Sequence, residues 1–216
     1  MKNQESQVFI QFKKLFIFVA LAIIHSSCQS NHLNRKIIIA SAGKIASVDP
    51  AQANTFHSLQ LISALGDTLY KMNSEGEIQP SLAKDLPEVS NKGLKLSIVL
   101  RDDVYFHDGT KFTAEAMKFS LERFNQIGTL KYIIGDRIKS IEAAEKYLLI
   151  INLSRPSSSI IGLLTSTNLT PISPFSYAKY QDRFLNKKFI GTGPYRLESF
   201  NSQKQRLVPF KNYWGE

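Results

Sequence analysis

The sequence between Leu94 and Phe124 predicts a strand, a turn and a helix in succession, and this unit constrains the fold most. Apolar residues at positions 94, 96, 98 and 100 alternate with other residues, the period-two pattern of a strand with one face in a core. Residues 107–110 supply turn chemistry. Thr113 is then a good N-cap, with Glu115 in the first helical turn and an apolar stripe at positions 117, 121 and 124. We therefore expect this helix to pack on a sheet that contains the strand.

The other segments indicate a mixture of strands and helices. Residues 37–40 form an apolar run of the buried-strand type, and residues 147–153 are strongly strand-like. A helical stripe covers residues 56–69, with Asn54 or Thr55 available as the cap, and residues 157–165 suit a second helix. The remaining signals are a turn cluster at residues 88–93 and a hairpin formed by residues 195–200 and 205–210. This order favours an α/β or α+β fold.

Composition and charge exclude a nucleic-acid partner. The chain has 216 residues, of which 43% are hydrophobic and 21% charged, as is usual for a globular protein. Its formal net charge is +9, but the basic residues are dispersed and do not alternate with aromatic residues. Such dispersed charges are typical of a solvated surface rather than of a surface that follows a phosphate backbone.

The N-terminus has the features of an export signal. Lys13 and Lys14 precede the apolar run LFIFVALAII, which is too short to span a bilayer as a helix but fits the core of a secretory signal. Cys28 follows closely and is the only cysteine, so no internal disulfide is possible. The segment resembles a bacterial lipoprotein signal, although His25 stands where an aliphatic residue is usual. We expect residues 1–27 to be a lipoprotein signal peptide and residues 28–36 a tether; the alternatives are an uncleaved anchor and plain secretion.

Three motifs that suggest catalysis or ligand chemistry are better explained by chance or by structure. Ser41 and Lys44 match the Ser-x-x-Lys pattern of penicillin-binding enzymes, but Ser41 follows a predicted strand and the partner motif Lys-Thr-Gly is absent. The Gly-Thr-Gly at residues 191–193 lacks the later glycine of a dinucleotide loop. His57 and His107 do not have a metal-ligand spacing. We therefore predict no enzymatic activity, no metal site and no cofactor.

Five sequence blocks together resemble one known family. The segment LRDDVYFHDGTKFTAEAMKFSLERF closely resembles the peptide and nickel class of solute-binding proteins of ABC importers, in which a Phe-x-Asp-Gly turn precedes a Thr-Ala-Glu helix. Four further blocks of that family occur in the expected order: residues 47–50 (SVDP), 76–83 (GEIQPSLA), 189–195 (FIGTGPY) and 212–215 (NYWG). The resemblance covers residues 37–216.

The resemblance implies a fold, a function and a binding surface. Residues 37–216 would form the first lobe of a type II periplasmic-binding-protein fold, with mixed sheets and flanking helices. The protein would be an extracytoplasmic, lipid-anchored component that binds oligopeptides by their backbone groups and delivers them to a membrane permease and its ATPase. Asn54, Thr55 and Phe56 match the first-lobe loop that lines the cleft, and Tyr195 lies where the chain returns toward the hinge. The alternative for Phe56 and Tyr195 is core packing.

The chain departs from this family in length. Family members are usually much longer and carry a second lobe that closes the cleft, so we expect the opposite wall to be missing here. A one-sided surface should bind peptides weakly, and its uncovered apolar area should promote self-association. The alternative function is a truncated lipoprotein that does not transport, either vestigial or assembling with a complementary chain. The sequence leaves the ligand open among a peptide, a nickel chelate, haem and a sugar.

We predict that Cys28 is acylated and anchors the protein to a membrane that faces an extracytoplasmic space. Cells that express the chain should incorporate a fatty-acid probe into the wild type but not into the Cys28→Ser variant. Equal labelling of the two proteins would contradict the prediction, and absence of label from both would indicate secretion or an uncleaved anchor.

Overall fold

The computed structural model of the chain describes residues 37–40, 42–45, 47–180, 188–201 and 203–215. The predicted signal peptide and tether, with His25 and Cys28, lie outside the described residues, as does Ser41. Contacts divide the chain into two units, residues 1–40 and residues 41–216, and every helix and strand named below belongs to the second. In the part of the chain that the structure describes, no helix has the length and apolar character needed to cross a membrane.

The second unit is a mixture of antiparallel strands and helices, as the sequence predicts. Its helices are α1 (Phe56–Leu65), α2 (Ala114–Ile127), α3 (Ile160–Leu163) and α4 (Pro174–Tyr180). Its strands are β1 (Tyr70–Met72), β2 (Ile78–Pro80), β3 (Glu88–Ser90), β4 (Lys95–Val99), β5 (Ile138–Glu145), β6 (Leu148–Leu153), β7 (Tyr195–Phe200) and β8 (Gln205–Pro209). They form the hairpins β1–β2 and β7–β8 and a four-stranded antiparallel sheet in the order β3–β4–β6–β5.

The larger core lies between the four-stranded sheet and α2, and it confirms the predicted strand–turn–helix unit. Leu96 and Ile98 of β4 are buried, and their partners across β6 are Ile151 and Leu149. The helix begins after Thr113, whose hydroxyl oxygen accepts a hydrogen bond from the Ala116 N–H. The residues predicted to face the sheet are all buried: Met117, Leu121 and Phe124. Periodicity therefore predicted both the elements and the faces that they bury.

A second, smaller core lies between α1 and the β7–β8 hairpin. Ile62 and Leu65 of α1 are fully buried in it, together with Val48 and Phe189. Leu197 and the other inward side chains of the hairpin pack against this cluster. The strands agree with the predicted hairpin, and their packing fixes it against the helix that carries Phe56.

Helix α1 is shorter than predicted because a distant segment ends it. The apolar stripe extends to residue 69, but the helix stops at Leu65 and Gly66 is extended, with φ −160° and ψ 154°. The Leu65 carbonyl accepts a hydrogen bond from the Gly193 N–H, so the last turn is completed from another part of the chain. Leu69 is still buried, but in the larger core.

Four other segments differ from the sequence predictions. Residues 37–40, predicted as a buried strand, are exposed and no described strand pairs with them. The predicted turn at residues 88–93 is a strand and then a 3-10 turn, Asn91–Gly93, with positive φ at all three residues. Strand β5 was not predicted, because only Ile141 among its eight residues is buried. The helix expected within residues 157–165 is restricted to α3.

Truncating Phe124 to alanine should cost about 3–5 kcal/mol of folding free energy, because the ring is 2% exposed in the larger core. Ile127→Ala on the same helix is the control, since Ile127 is 41% exposed and should lose about 1 kcal/mol or less. Urea unfolding measures both losses. Similar losses in the two variants would show that the described packing of α2 is wrong.

Candidate ligand-binding surface

The N-terminus of α1 presents an exposed aromatic side chain on a capped helix. Thr55 is the N-cap: its hydroxyl oxygen accepts a hydrogen bond from the Ser58 N–H and donates one to the Ser58 hydroxyl oxygen. Asn54 is exposed and Phe56 is 74% exposed, with its ring edge-on to the ring of His57. Burying an exposed aromatic ring of this kind gives a ligand apolar contact area at low entropic cost.

Buried polar contacts hold the loop that leads to Phe56. Arg123 of α2 donates two hydrogen bonds to the Asp49 carboxylate, at 2.8 and 2.7 Å, and both side chains are buried. Burial would lower the pKa of Arg123, but its hydrogen bonds and charge attraction with Asp49 raise it overall. Asn168 donates to the carbonyl oxygens of Pro50 and Ala53. The backbone before Phe56 is thereby tied to α2 and to the 3-10 turn Thr167–Leu169.

A second set of contacts holds the loop at residues 191–194, which leads to Tyr195. The His107 N–H donates to the Gly191 carbonyl, and His107 Nε2 lies 3.0 Å from the Gly193 carbonyl oxygen. Both glycines pass so close to the end of α1 that a Cβ atom at either would lie 2.4–2.5 Å from its backbone. The glycines are required for this close approach, because any side chain at either position would collide with the helix end.

The carboxylate of Asp67, just beyond α1, gathers donors from two distant segments. It accepts hydrogen bonds from the Thr192 hydroxyl at 3.0 Å, the Trp214 Nε1–H at 3.0 Å and the Tyr213 hydroxyl at 3.2 Å. Burial raises the pKa of Asp67, although these hydrogen bonds and Lys71 act to lower it. The Arg101 guanidinium lies over the Trp214 ring at 4.5 Å. This group, which we call the Asp67 cluster, joins α1 to both ends of the β7–β8 hairpin.

The predicted site residues thus lie on one substructure, but at separate places. Asn54, Thr55 and Phe56 are contiguous at the start of α1, whereas the loop leading to Tyr195 is fixed at the other end of that helix. Tyr195 begins β7 and is 41% exposed. Neither Phe56 nor Tyr195 is part of a core, so the alternative of core packing does not apply to them. Their contact with a ligand stays a prediction.

The Asp67 cluster was not among the predicted sites. The blocks at residues 189–195 and 212–215 were identified from the sequence, but Thr192, Tyr213 and Trp214 had no predicted partners. Asp67 is 125 residues from Thr192 and 147 from Trp214, so no local pattern connects them. An aspartate directly after a helix-ending glycine was the only available signal.

Two further findings limit the choice of site. Among the described residues, no group of three or more His, Cys, Asp or Glu side chains could hold a metal ion. A shallow pocket between β3 and α3 contains none of the predicted site residues and is lined by Val89, Gly93, Leu96, Pro156, Ser157, Ser158, Ile160 and Ile161.

Comparison with known proteins places this fold among type II periplasmic binding proteins. The structure of the pheromone receptor PrgZ, described for its mode of peptide binding, matches with a TM-score of 0.75 and 22% identity over 81% of this chain and 39% of PrgZ. NikZ from Campylobacter jejuni, in complex with Ni(L-His), matches with a TM-score of 0.71 and 26% identity over 81% of this chain and 35% of NikZ. The predicted fold class is confirmed.

Sequence comparison identifies the family. The family model described as bacterial extracellular solute-binding proteins, family 5 Middle, matches residues 77–216, more than half of the chain. This chain belongs to that family, which confirms the predicted resemblance. The glutathione-binding protein GsiB of Escherichia coli O1:K1 / APEC is 28% identical over 183 residues, covering 83% of this chain and 35% of GsiB. The chain therefore spans between 35% and 39% of the length of these relatives.

Replacing Gly193 with alanine should destabilise the protein by about 1–3 kcal/mol, because the added Cβ would meet the backbone nitrogen of Gly66. Gly162→Ala is the matched control. The distance from its added Cβ to the nearest atom, in the Ile78 side chain, would be 3.9 Å, which is an ordinary van der Waals contact. Thermal unfolding of both variants measures the difference. Equal stability of the two variants would contradict the close approach of the loop to α1.

Proposed function

We propose that this chain is an extracytoplasmic solute-binding component of an ABC importer and that its ligands are short peptides. The exposed Phe56, at the end of a helix braced by buried polar contacts, is the observation that carries the proposal. Ligand sites on rigid elements retain their geometry and lose little entropy on binding. In this proposal Asn54, Thr55 and Phe56 form one part of the peptide-binding surface and Tyr195 another.

The relatives and the length of α1 both support peptides as the ligand class. GsiB is named for glutathione, which is a tripeptide, and PrgZ is described for its mode of peptide binding. The ten residues of α1 separate its two ends by about 15 Å, and an extended peptide advances about 3.3 Å per residue. A peptide of about four or five residues could therefore reach from Phe56 toward the loop before Tyr195. NikZ, whose ligand is a nickel–histidine complex, keeps a metal chelate as the competing ligand class.

The proposed partners follow from the family. The protein would deliver its ligand to a membrane permease with an ATPase, and the acyl group on Cys28 would keep it at the membrane. No catalytic step belongs to this function. The second candidate is the alternative raised by the sequence: a lipoprotein that does not transport by itself, being vestigial or assembling with a complementary polypeptide.

Peptide binding that uses Phe56 should weaken about tenfold in the Phe56→Ala variant, since loss of one aromatic contact costs about 1–2 kcal/mol. Calorimetry of the full chain against a random mixture of tri- to pentapeptides measures the affinity, which we expect to be weaker than micromolar for the wild type. The control variant is Phe175→Ala. Both variants should keep wild-type stability, because the side chains of Phe56 and Phe175 are 74% and 64% exposed.

Phe175→Ala should bind as the wild type does. An equal loss in the two variants, or none in Phe56→Ala, would reject the proposed surface. Absence of peptide binding by the wild-type chain would contradict the peptide proposal and favour the second candidate. Light scattering on the same samples reports the expected self-association.

A further inference from the structure

His107 occupies the junction where several segments of the smaller core meet. Its backbone N–H donates to the Gly191 carbonyl, and its Nε2 lies 3.0 Å from the Gly193 carbonyl oxygen. Its ring is edge-on to that of Phe210, with 4.9 Å between centroids. The Phe210 N–H in turn donates to the Pro194 carbonyl, and the Tyr213 N–H donates to the Phe210 carbonyl. The His107 side chain therefore contacts both segments that reach the Asp67 cluster.

The surroundings of Nδ1 favour the neutral form of the imidazole. A carbonyl oxygen can only accept, so Nε2 must carry a hydrogen, as it does in the imidazolium and in one neutral tautomer; in that neutral tautomer Nδ1 carries none. Nδ1 is buried and has no hydrogen-bond partner among the residues that the structure describes. A proton at Nδ1 would therefore create a buried donor without an acceptor and a buried charge, both of which cost free energy.

The charged groups around His107 do not remove this cost. Burial lowers the pKa of His107, and Arg196 on β7 lowers it further, while the Gly193 carbonyl and Asp108 raise it in part. Asp108 is already occupied: its carboxylate accepts hydrogen bonds from Thr110, Ser173 and Ser176. Asp67 reaches the same loop through Thr192.

We propose that His107 is an acid-sensitive brace: as a neutral ring it fixes the loop at residues 191–194, and its protonation releases that loop and the segment from Phe210 to Trp214. The released segments include the backbone that leads into Tyr195. An extracytoplasmic protein meets the pH of its surroundings directly, so such a brace would make the order of this part of the lobe depend on external acidity.

The direction of the pH effect follows from linkage. The pKa of His107 in the folded chain is below its ordinary value of 6.5, so the unfolded or opened chain binds the proton more tightly. The stabilisation is therefore complete above pH 6.5 and is lost as the pH falls through the folded pKa. Asp67 acts in the opposite sense, because its raised pKa makes protonation favour the folded state.

Trp214 is the only tryptophan in the chain, so its fluorescence reports on this junction alone. The full chain would be titrated between about pH 8 and pH 5, the range in which histidine changes charge. We expect a red shift of emission and a severalfold rise in acrylamide quenching, with a midpoint below pH 6.5. His107→Gln should give a flat profile, because glutamine can donate to the Gly193 carbonyl and does not titrate.

His57→Gln is the matched control and should keep the wild-type transition. A flat wild-type profile, or an unchanged transition in His107→Gln, would overturn the proposal. Because His107→Gln could fail to fold, the wild type supplies a second measurement: NMR titration of the histidine rings. A ring pKa for His107 below 6.5 that coincides with the Trp214 transition supports the brace, and a pKa at or above 6.5 would overturn it.

Discussion

The carboxylate of Asp67 determines how distant parts of the chain assemble around α1. A charged group in a buried site is stable only when donors replace its water, and here three side-chain donors do so. Thr192 lies just before the β7–β8 hairpin, while Tyr213 and Trp214 follow it. The hairpin is thereby held at both ends, and its apolar face is kept against α1.

Similar polar contacts hold two other loops that lead into helices. Arg123 extends from α2 to Asp49, and Asp108 in the turn before α2 accepts hydrogen bonds from Ser173 and Ser176 at the start of α4. Burial alone would raise the pKa of Asp108, but the hydrogen bonds lower it overall, so its anionic form is favoured. The loops are therefore fixed by specific charged contacts, whereas the apolar cores supply most of the stabilisation.

Sequence periodicity predicted those elements whose structure is decided locally. The faces of β4 and α2 followed from the spacing of Leu96, Ile98 and Met117, and Thr113 supplied the helix start. Elements decided by distant contacts could not be predicted in this way: α1 ends where the Gly193 N–H reaches the Leu65 carbonyl. The site divides similarly. Phe56 and Tyr195 were named from family resemblance, whereas the partners of Asp67 are far away in sequence and no local pattern connects them to it.

The loop at residues 191–194 is held by two ionisable groups that respond oppositely to acid. Burial disfavours the charged form of Asp67. Its carboxylate therefore takes up a proton more readily in the folded chain than a solvated carboxylate does. Burial also disfavours the charged form of His107, but this side chain becomes charged when acid protonates it. Acid therefore weakens the loop through His107, while Asp67 acts in the opposite direction as it takes up its proton. The order of the loop should consequently depend most strongly on pH below the ordinary pKa of histidine. The dependence should be weaker in the pH range where the Asp67 carboxylate also titrates.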